Sequence, residues 1–213
     1  MSALTIALTK GRLAKKTLSL LEKSGIRCDE MYTDTRKLVF EDPDAKVRFF
    51  LAKADDVPTY VEYGAADLGV VGKDVLLEKQ MDLFEVLDLK FGNCRMCVAG
   101  FPEGAALLKS GADFKVATKY PEIARQYFLK QHQMPEILKL SGSIELAPIV
   151  GLADVIVDIV ETGSTLRENG LVVLDEVFPV SARLVVNKAS MKIRHEEISR
   201  LIRVIGSQLE KSL

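Results

Sequence analysis

Short apolar segments alternate with amphipathic segments along most of the chain, and this alternation restricts the fold more than any other feature. The first segment, Leu4–Thr9, is rich in strand formers and leads through a turn into a helical pattern over residues 13–21. Gly25 stands where a left-handed helix cap is expected. Because a strand with its crossover helix is the unit of a parallel sheet, the sequence predicts an α/β protein.

The same pattern continues to the end of the chain. Further strands are predicted at 47–52, 67–71, 83–89, 94–99, 115–118, 137–140, 154–160 and 184–187. Helices are predicted at 57–63, with Asp55 or Asp56 as its cap, at 121–131 and at 144–150, and others begin at Asp74 and Ser164. The last helix carries an apolar stripe that consists of Ile198, Leu201, Ile202, Ile205 and Leu209.

The arrangement of these units predicts two lobes. No linker rich in Pro, Gly or Ser divides the chain, but a turn at 91–93 separates two neighbouring apolar runs. We therefore expect two α/β lobes with two crossovers, the first formed by 1–92 plus 179–213 and the second by 93–178. Such a fold places a ligand in a cleft between the lobes, at the carboxyl ends of strands.

Composition limits the classes of partner. The 213 residues include 29 Lys and Arg against 30 Asp and Glu, so no overall field attracts nucleic acid or an anionic membrane. An anionic ligand must therefore be bound by local groups. Neither a secretion signal nor a run of about 18 apolar residues is present, which predicts a cytoplasmic protein.

Cysteine and histidine do not suggest a metal or redox site. Cys94 and Cys97 have the C-x-x-C spacing, but they lie in a predicted strand, where residues three apart face opposite sides. We interpret them, like Cys28, as ordinary thiols. His132 and His195 have no companion ligands or catalytic partners, so no metal site built from protein side chains is expected.

The clearest functional motif follows the strand that ends near residue 160. Residues 162–165, Thr-Gly-Ser-Thr, open a helix, and their hydroxyls and backbone N–H groups suit a phosphate. Asp158 and Glu161 could accept hydrogen bonds from ribose hydroxyls beside that phosphate. The same segment also fits a simple helix cap in which Thr162 or Ser164 satisfies backbone donors, and alone it favours neither interpretation.

Each of three weaker motifs also has a simple structural interpretation. Lys10, Gly11 and Arg12 end the first strand with two cations that suit a pyrophosphate, although most such turns are only solvated. Residues 64–74 are superficially similar to a Walker A loop, but an acid replaces its Ser or Thr, so tight turns and a helix cap at Asp74 are expected instead. Residues 140–148 suit contact with an anion or a ribose, and they suit capping equally well.

Together these segments resemble the ATP phosphoribosyltransferase family over essentially the whole chain. The similar segments are Leu-Thr-Lys-Gly-Arg-Leu at 8–13, residues 56–74, Ala-Thr-Lys-Tyr at 117–120 and Asp-Ile-Val-Glu-Thr-Gly-Ser-Thr-Leu at 158–166. The resemblance implies two lobes like those of type II periplasmic binding proteins. It also implies transfer of phosphoribosyl from phosphoribosyl pyrophosphate (PRPP) to N1 of ATP, the first step of histidine biosynthesis.

Residue roles follow from the same resemblance. The phosphoribosyl-binding loop corresponds to Glu161, Thr162, Gly163, Ser164, Thr165 and Leu166, with Asp158 just upstream. The resemblance assigns Arg12 to the departing pyrophosphate and Arg36, in Asp-Thr-Arg-Lys at 34–37, to ATP and the departing phosphates. Lys10, beside Arg12 in the sequence, is expected to act with them. Further candidates for ATP or phosphate contacts are Gly11, Lys53, Asp74, Ser141, Gly142 and Ser143. Mg²⁺ is expected to arrive on the substrate phosphates.

The family also has members of two lengths. Long forms continue into a domain that binds histidine, whereas short forms, which this chain resembles, work with a separate regulatory subunit that resembles histidyl-tRNA synthetase. A homodimer within a hetero-oligomer is thus implied. The rival hypothesis is a two-lobed solute-binding or effector-binding protein without catalysis, since fold does not fix function. A transferase acting on another nucleotide is a third possibility.

Overall fold

The computed structural model describes residues 3–33 and 36–211. Its strands are β1 (Leu4–Thr9), β2 (Val39–Asp42), β3 (Val47–Ala52), β4 (Leu68–Gly72), β5 (Phe84–Asp88), β6 (Cys94–Gly100), β7 (Lys115–Thr118), β8 (Glu136–Lys139), β9 (Val155–Val160), β10 (Val172–Val180) and β11 (Ala182–Val186). Its helices are α1 (Arg12–Glu22), α2 (Val57–Glu62), α3 (Lys73–Lys79), α4 (Gly104–Ser110), α5 (Pro121–Lys130), α6 (Leu146–Ile149), α7 (Ser164–Glu168), α8 (Lys188–Ile193) and α9 (His195–Glu210). Short 3₁₀ turns lie at Asp29–Tyr32 and Ala54–Asp56.

The chain forms two compact units. Unit 1 contains the residues up to Gly92 and those from Ser181 onward, and unit 2 contains Asn93–Val180. The sheet of unit 1 has the strand order β2-β3-β1-β4-β11-β5, in which β3, β1 and β4 are parallel. The sheet of unit 2 has the order β10-β6-β9-β7-β8, in which β9, β7 and β8 are parallel. Each unit is therefore a mixed α/β layer structure.

In unit 1, alternate residues of β1 supply two separate hydrophobic layers. Ile6 and Leu8 pack with helices α1 and α9, whereas Ala7 packs on the opposite face with α2. The predicted stripe of the last helix is confirmed, because Ile198, Leu201 and Ile205 are buried and Ile202 and Leu209 pack against the same core. Among the described helices, none is both long and apolar enough to cross a bilayer.

The end of α1 confirms the expected cap. Gly25 has a φ of +83°, and the Ile26 N–H donates to the Leu21 carbonyl at 3.0 Å while the Gly25 N–H donates to Glu22. This pair of hydrogen bonds, from Gly25 and the residue that follows it, is the Schellman pattern. It turns the chain away from the helix axis.

Strands β2 and β10 and helix α4 were not predicted. Strand β2 buries Phe40 in the core but alternates it with exposed residues at the sheet edge. Strand β10 has register shifts between Val173 and Asp175 and between Glu176 and Phe178, which disrupt the alternation of period two. Helix α4 buries only Gly104 and so shows no apolar stripe.

The predicted roles of the glycines in 64–74 and of Asp74 are partly wrong. Only Gly64 is in a left-handed turn, with a φ of +74°. Gly69 lies inside β4, where a Cβ would come within 2.7 Å of the Val61 side chain. A Cβ at Gly72 would overlap the carboxylate of Asp74. The N-cap residue of α3 is Gly72, so Asp74 lies in the first turn of the helix and not at the predicted cap position.

The cap predicted for the helix at 57–63 is confirmed in position at Asp56, but not as a side-chain contact of that residue. Asp56 occupies the N-cap position of α2, but its side chain makes no capping hydrogen bond. The preceding 3₁₀ turn explains this difference. The Asp56 and Val57 N–H groups both donate to the Lys53 carbonyl, so the backbone has already begun to coil before α2.

Asp67 links the first strand of unit 1 to the helices at the end of the chain. Its carboxylate accepts hydrogen bonds from the Thr5 N–H at 2.9 Å, the Ser190 hydroxyl at 2.7 Å and the Arg194 guanidinium at 3.0 Å. The Asp67 side chain is only 15% exposed. These contacts therefore act where water competes poorly.

Replacing Asp67 with alanine is expected to destabilise the protein by about 2 kcal/mol, because a largely buried guanidinium and a backbone N–H lose their acceptor. Urea unfolding of both proteins measures this change. Asp82→Ala is the control, because Asp82 pairs with Lys188 but its side chain is 76% exposed. Equal losses for the two variants would contradict the prediction.

Asp88 ends β5 beside the point where the chain leaves unit 1. Burial raises the pKa of its carboxyl, but hydrogen bonds from the Lys90 N–H and ammonium and from the Ser181 hydroxyl, together with Arg183, outweigh burial and lower the pKa to about 2. A depressed pKa means that the folded state prefers the ionised form. Its contribution is present above the unfolded pKa of 3.8 and is lost as the pH falls through about 2.

The wild-type protein is accordingly expected to exceed Asp88→Asn in stability at pH 5, and roughly 2 kcal/mol of this difference should vanish between pH 4 and pH 2. The measurement is the free energy of unfolding in urea at each pH. Asp175→Asn, on a different unit, provides the control for general acid effects. If the difference in unfolding free energy between wild type and Asp88→Asn did not change with pH, the prediction would be wrong.

Candidate active site

The loop that joins β9 to α7 forms one side of a cavity in unit 2. The cavity has a volume of about 250 Å³. All seven residues predicted to bind the phosphoribosyl group line it, namely Asp158, Glu161, Thr162, Gly163, Ser164, Thr165 and Leu166. Strand β9 is buried in the middle of its sheet, and it delivers this loop to the carboxyl edge where the parallel strands β7 and β8 also end.

The loop has a compact internal structure. Gly163 is the N-cap residue of α7 in a left-handed conformation, with a φ of +71°. The hydroxyls of Thr162 and Ser164 lie 3.0 Å apart, and the Ser164 N–H donates weakly to the Thr162 hydroxyl at 3.4 Å. Both hydroxyls are on exposed residues. Local capping and ligand binding are therefore compatible in this loop, since hydroxyls both donate and accept.

The remaining wall of the cavity combines apolar side chains with carboxylates. Cys97 and Ala99 of β6 face it, in register with Asp158 and Ile156 of β9. Cys97 is fully buried, and burial raises the pKa of its thiol, so the group stays protonated at neutral pH. This agrees with the predicted ordinary thiol. Cys94 is partly exposed at the start of the same strand.

Glu145 also lines the cavity, and sequence reasoning missed it. It occupies the N-cap position of α6, without a capping hydrogen bond from its side chain. Ser141, Gly142 and Ser143 follow β8 at the same sheet edge and are exposed, but they are not among the residues that line this cavity. A glutamate just before a helix carries no signal that would separate it from an ordinary surface acid.

In unit 1, the predicted cationic residues meet at one edge of the sheet. Lys10, Gly11 and Arg12 follow β1, and Lys53 follows the neighbouring parallel strand β3. Gly11 has a φ of +94°, which allows the sharp turn into α1. All four residues are exposed. The sheet topology thus gathers positive charge at the carboxyl edge.

Arg36 belongs to the same edge, although Asp34 and Thr35 beside it lie outside the described residues. Strand β2 is antiparallel to β3, and the Leu51 N–H donates to the Leu38 carbonyl at 3.0 Å. The segment before β2 therefore lies next to the carboxyl end of β3. Asp74 follows β4 at this edge too, but it is buried and folds against Gly72. It is less accessible to a ligand than the cations.

No group of three or more His, Cys, Asp or Glu side chains within the described parts of the chain is arranged to hold a metal ion. The cavity of unit 2 does contain the carboxylates of Glu145, Asp158 and Glu161. They are chemically suited to accept hydrogen bonds from hydroxyl groups of a ligand. The loop with its N–H groups and hydroxyls suits an anion, so the two sides of the cavity favour a molecule that carries both a phosphate and hydroxyls.

The two units and their sheets place the chain in the two-lobed α/β class that includes periplasmic-type binding domains. The VFT2 domain of BvgS from Bordetella pertussis is similar in fold alone, with a TM-score of 0.60 and 12% identity over 98% of this chain and 87% of that one. The model of the family "HisG: ATP phosphoribosyltransferase" matches residues 53–207. This chain belongs to the ATP phosphoribosyltransferase family.

Individual relatives agree with this family. The chain is 64% identical to the ATP phosphoribosyltransferase of Lachnoclostridium phytofermentans, with 95% of each chain covered. It is 57% identical to that of Lachnospira eligens, over 99% of this chain and 98% of the relative. A solved ATP phosphoribosyl transferase (HisG:HisZ) complex from Thermotoga maritima contains a chain with 36% identity and a TM-score of 0.81, with 98% of each chain covered. The predicted family and two-lobed α/β fold are confirmed.

Proposed function

We propose that this chain is a pentosyltransferase that moves the phosphoribosyl group of PRPP to N1 of ATP, with release of pyrophosphate, in the first step of histidine biosynthesis. The lining of the cavity in unit 2 is the main support for this proposal. In a member of this family, the residues predicted to hold the sugar phosphate line a single cavity, with N–H groups and hydroxyls on one side and carboxylates on the other. A relative named ATP phosphoribosyltransferase matches the chain at 64% identity.

The chemistry needs positioning more than acid or base groups. Adenine N1 has a free lone pair, which forms the new bond to the anomeric carbon as the bond from that carbon to pyrophosphate breaks. Positive charge develops on the sugar and negative charge on the leaving group. Fixed groups that hold both substrates in line and stabilise those charges lower the barrier.

Each part of the donor has a proposed partner in the chain. The 5-phosphate binds the loop of Thr162, Gly163 and Ser164, because backbone N–H groups at the start of a helix have no intrahelical acceptor. The ribose hydroxyls donate to Asp158 and Glu161, which line the same cavity. These acids also disfavour a second phosphate at that position.

The departing pyrophosphate has proposed partners in unit 1. Lys10 and Arg12 after β1, and Arg36 before β2, lie at one sheet edge with exposed side chains. A planar guanidinium can bind two phosphate oxygens at once, and a lysine ammonium adds a point charge. Gly11, Lys53 and Asp74 at this edge, and Ser141, Gly142 and Ser143 in unit 2, remain candidates for ATP or phosphate contacts.

Magnesium is proposed to enter as part of the substrate. Mg²⁺ keeps most of its waters and prefers substrate phosphates to sites made only of protein ligands. A Mg²⁺–PRPP complex would reduce the charge of the diphosphate before it meets the cations. The carboxylates near the loop can then interact with the ribose rather than with a metal.

A separate subunit is proposed to regulate the enzyme. The Thermotoga maritima structure is described as a HisG:HisZ complex, and this chain covers 98% of the matching chain. We propose that this chain likewise forms a homodimer within a hetero-oligomer with a HisZ-type subunit that resembles histidyl-tRNA synthetase. We place the enzyme in the cytoplasm, where ATP and PRPP are produced.

An assay of product formation tests the proposed function. The chain is mixed with ATP, PRPP and Mg²⁺, with and without the HisZ-type subunit. The increase in absorbance and the mass of the product are then measured. A product with the mass of phosphoribosyl-ATP is expected only when both substrates are present. Tight binding of a small molecule without any turnover would favour the alternative, a solute-binding or effector-binding protein. Replacing ATP with other nucleotides tests a transferase of different specificity.

A further inference from the structure

The guanidinium of Arg167 folds back over the phosphate loop. Arg167 lies in the last turn of α7, and its Nη1 donates a hydrogen bond to the Thr162 carbonyl at 2.9 Å. Its backbone N–H donates to the Gly163 carbonyl at 3.1 Å. One residue therefore holds the carbonyl groups on both sides of the Gly163 Cα.

These bonds fix the direction of a peptide N–H. The described peptide bonds include no cis bond, and in a trans peptide the carbonyl of Thr162 and the N–H of Gly163 point in opposite directions. Thr162 and Gly163 line the cavity, whereas Arg167 is not one of its lining residues. By holding the Thr162 carbonyl on its own side, Arg167 directs the Gly163 N–H away from itself and toward the ligand side of the loop.

The lack of a side chain at Gly163 allows both the contact with Arg167 and the left-handed backbone conformation. A Cβ built on Gly163 would lie 3.3 Å from Nη1 of Arg167, a distance tight enough to push the guanidinium away. The absence of a side chain therefore leaves room for the cation behind the loop. That cation also adds positive charge close to a proposed phosphate, although its exposure to solvent weakens the effect.

We propose that Arg167 is a positioning residue for the 5-phosphate of the sugar donor, acting through the Thr162–Gly163 peptide rather than by touching the ligand. This inference rests on the proposed function, because it concerns the same loop. It separates the two substrates: Arg167 should matter for PRPP, through its 5-phosphate, and not for ATP. Arg167→Ala then weakens PRPP binding without a matching effect on ATP.

Calorimetric titration of the full chain with PRPP and Mg²⁺ provides the first test. We expect Arg167→Ala to raise the Kd of PRPP about tenfold, the scale of one hydrogen bond from a charged donor at an exposed position. Arg167→Lys keeps the charge and one donor, so it should restore much of the affinity. Arg125→Ala is the matched control, since Arg125 is an exposed arginine of the same unit that pairs with a residue of its own helix, Glu122.

Steady-state kinetics and thermal unfolding separate positioning from a merely structural role. The KM for PRPP should rise in Arg167→Ala, while the KM for ATP and the kcat stay within about twofold. The reason is that the lost interaction stabilises bound PRPP and the transition state equally. A lower unfolding temperature with an unchanged PRPP Kd would overturn the inference, as would equal effects on both substrates. Arg167→Gln provides a second variant with a neutral donor if the alanine variant unfolds.

PRPP binding by the wild-type protein distinguishes failure of the role of Arg167 from failure of the proposed function. PRPP binding by wild type with no change in Arg167→Ala removes only the role of Arg167 and leaves the proposed function in place. Failure of the wild-type protein to bind PRPP would overturn the proposed function and this inference together. An affinity lost equally in Arg125→Ala would show a general charge effect and would also reject the role of Arg167.

Discussion

Replacing Arg12 with alanine is expected to lower kcat about a thousandfold, the upper range for loss of one group aimed at developing transition-state charge. Arg12 is exposed at the first position of α1, after the turn at Gly11. In our proposal its guanidinium receives the pyrophosphate as negative charge grows on it. The KM for PRPP should change much less than kcat, because the interaction strengthens mainly in the transition state.

The fold should survive this substitution. The opposite end of α1 is held by the cap at Gly25, and its buried face consists of residues such as Leu18 and Leu21. Arg48→Ala is the control, because Arg48 is an exposed arginine of β3 in the same unit, paired with Glu41. The measurements are the rate of phosphoribosyl-ATP formation and the circular dichroism of each variant. An unaltered kcat in folded Arg12→Ala would remove Arg12 from the mechanism.

The fold was predictable from the sequence where strands are buried on both faces. Strands β1 and β9 are inner strands, each with a parallel neighbour, and both have nearly continuous apolar sequences. Strand β1 occupies the predicted residues, and β9 begins one residue later than predicted. The two strands that were not predicted, β2 and β10, lie at sheet edges and lack this signal. In β2 only one large apolar side chain, Phe40, reaches the core, and β10 is interrupted by two register shifts.

The candidate site was predictable where its parts are adjacent in the sequence. The loop from Glu161 to Leu166 is one continuous segment, so its hydroxyls, glycine and acid could be recognised together. The cations of unit 1 come from separate segments, and only the strand order β2-β3-β1 shows that Arg36, Lys53 and Arg12 share an edge. From the residues alone, Arg36 resembles a surface charge.

Two contributions of unit 2 carry no usable sequence signal. Glu145 reaches the cavity from a helix start on a different connection, and its neighbours give no indication of the loop that it faces. Arg167 has the appearance of a solvated cation near the end of a short helix. Its contact with Thr162 depends on the left-handed conformation of Gly163, which a sequence permits but does not specify.

Replacing Gly163 with valine is expected to weaken PRPP binding about a hundredfold, the scale of two lost charge-assisted hydrogen bonds. A β-branched residue is strained at a φ of +71°, and its Cβ would lie only 3.3 Å from Nη1 of Arg167. Relief of that strain requires the loop to move. The N–H groups of residues 163 and 164 then no longer point at one phosphate position.

Gly170→Val separates backbone strain from loss of the phosphate site. Gly170 has a φ of +72°, almost that of Gly163, but it follows α7 and is not among the residues that line the cavity. Both variants should lose roughly 1–2 kcal/mol of stability from the left-handed backbone. Only Gly163→Val should lose PRPP affinity in calorimetry, while ATP binding remains unchanged. Equal PRPP affinities in the two folded variants would mean that the loop is only structural, and the sugar phosphate would have to bind elsewhere.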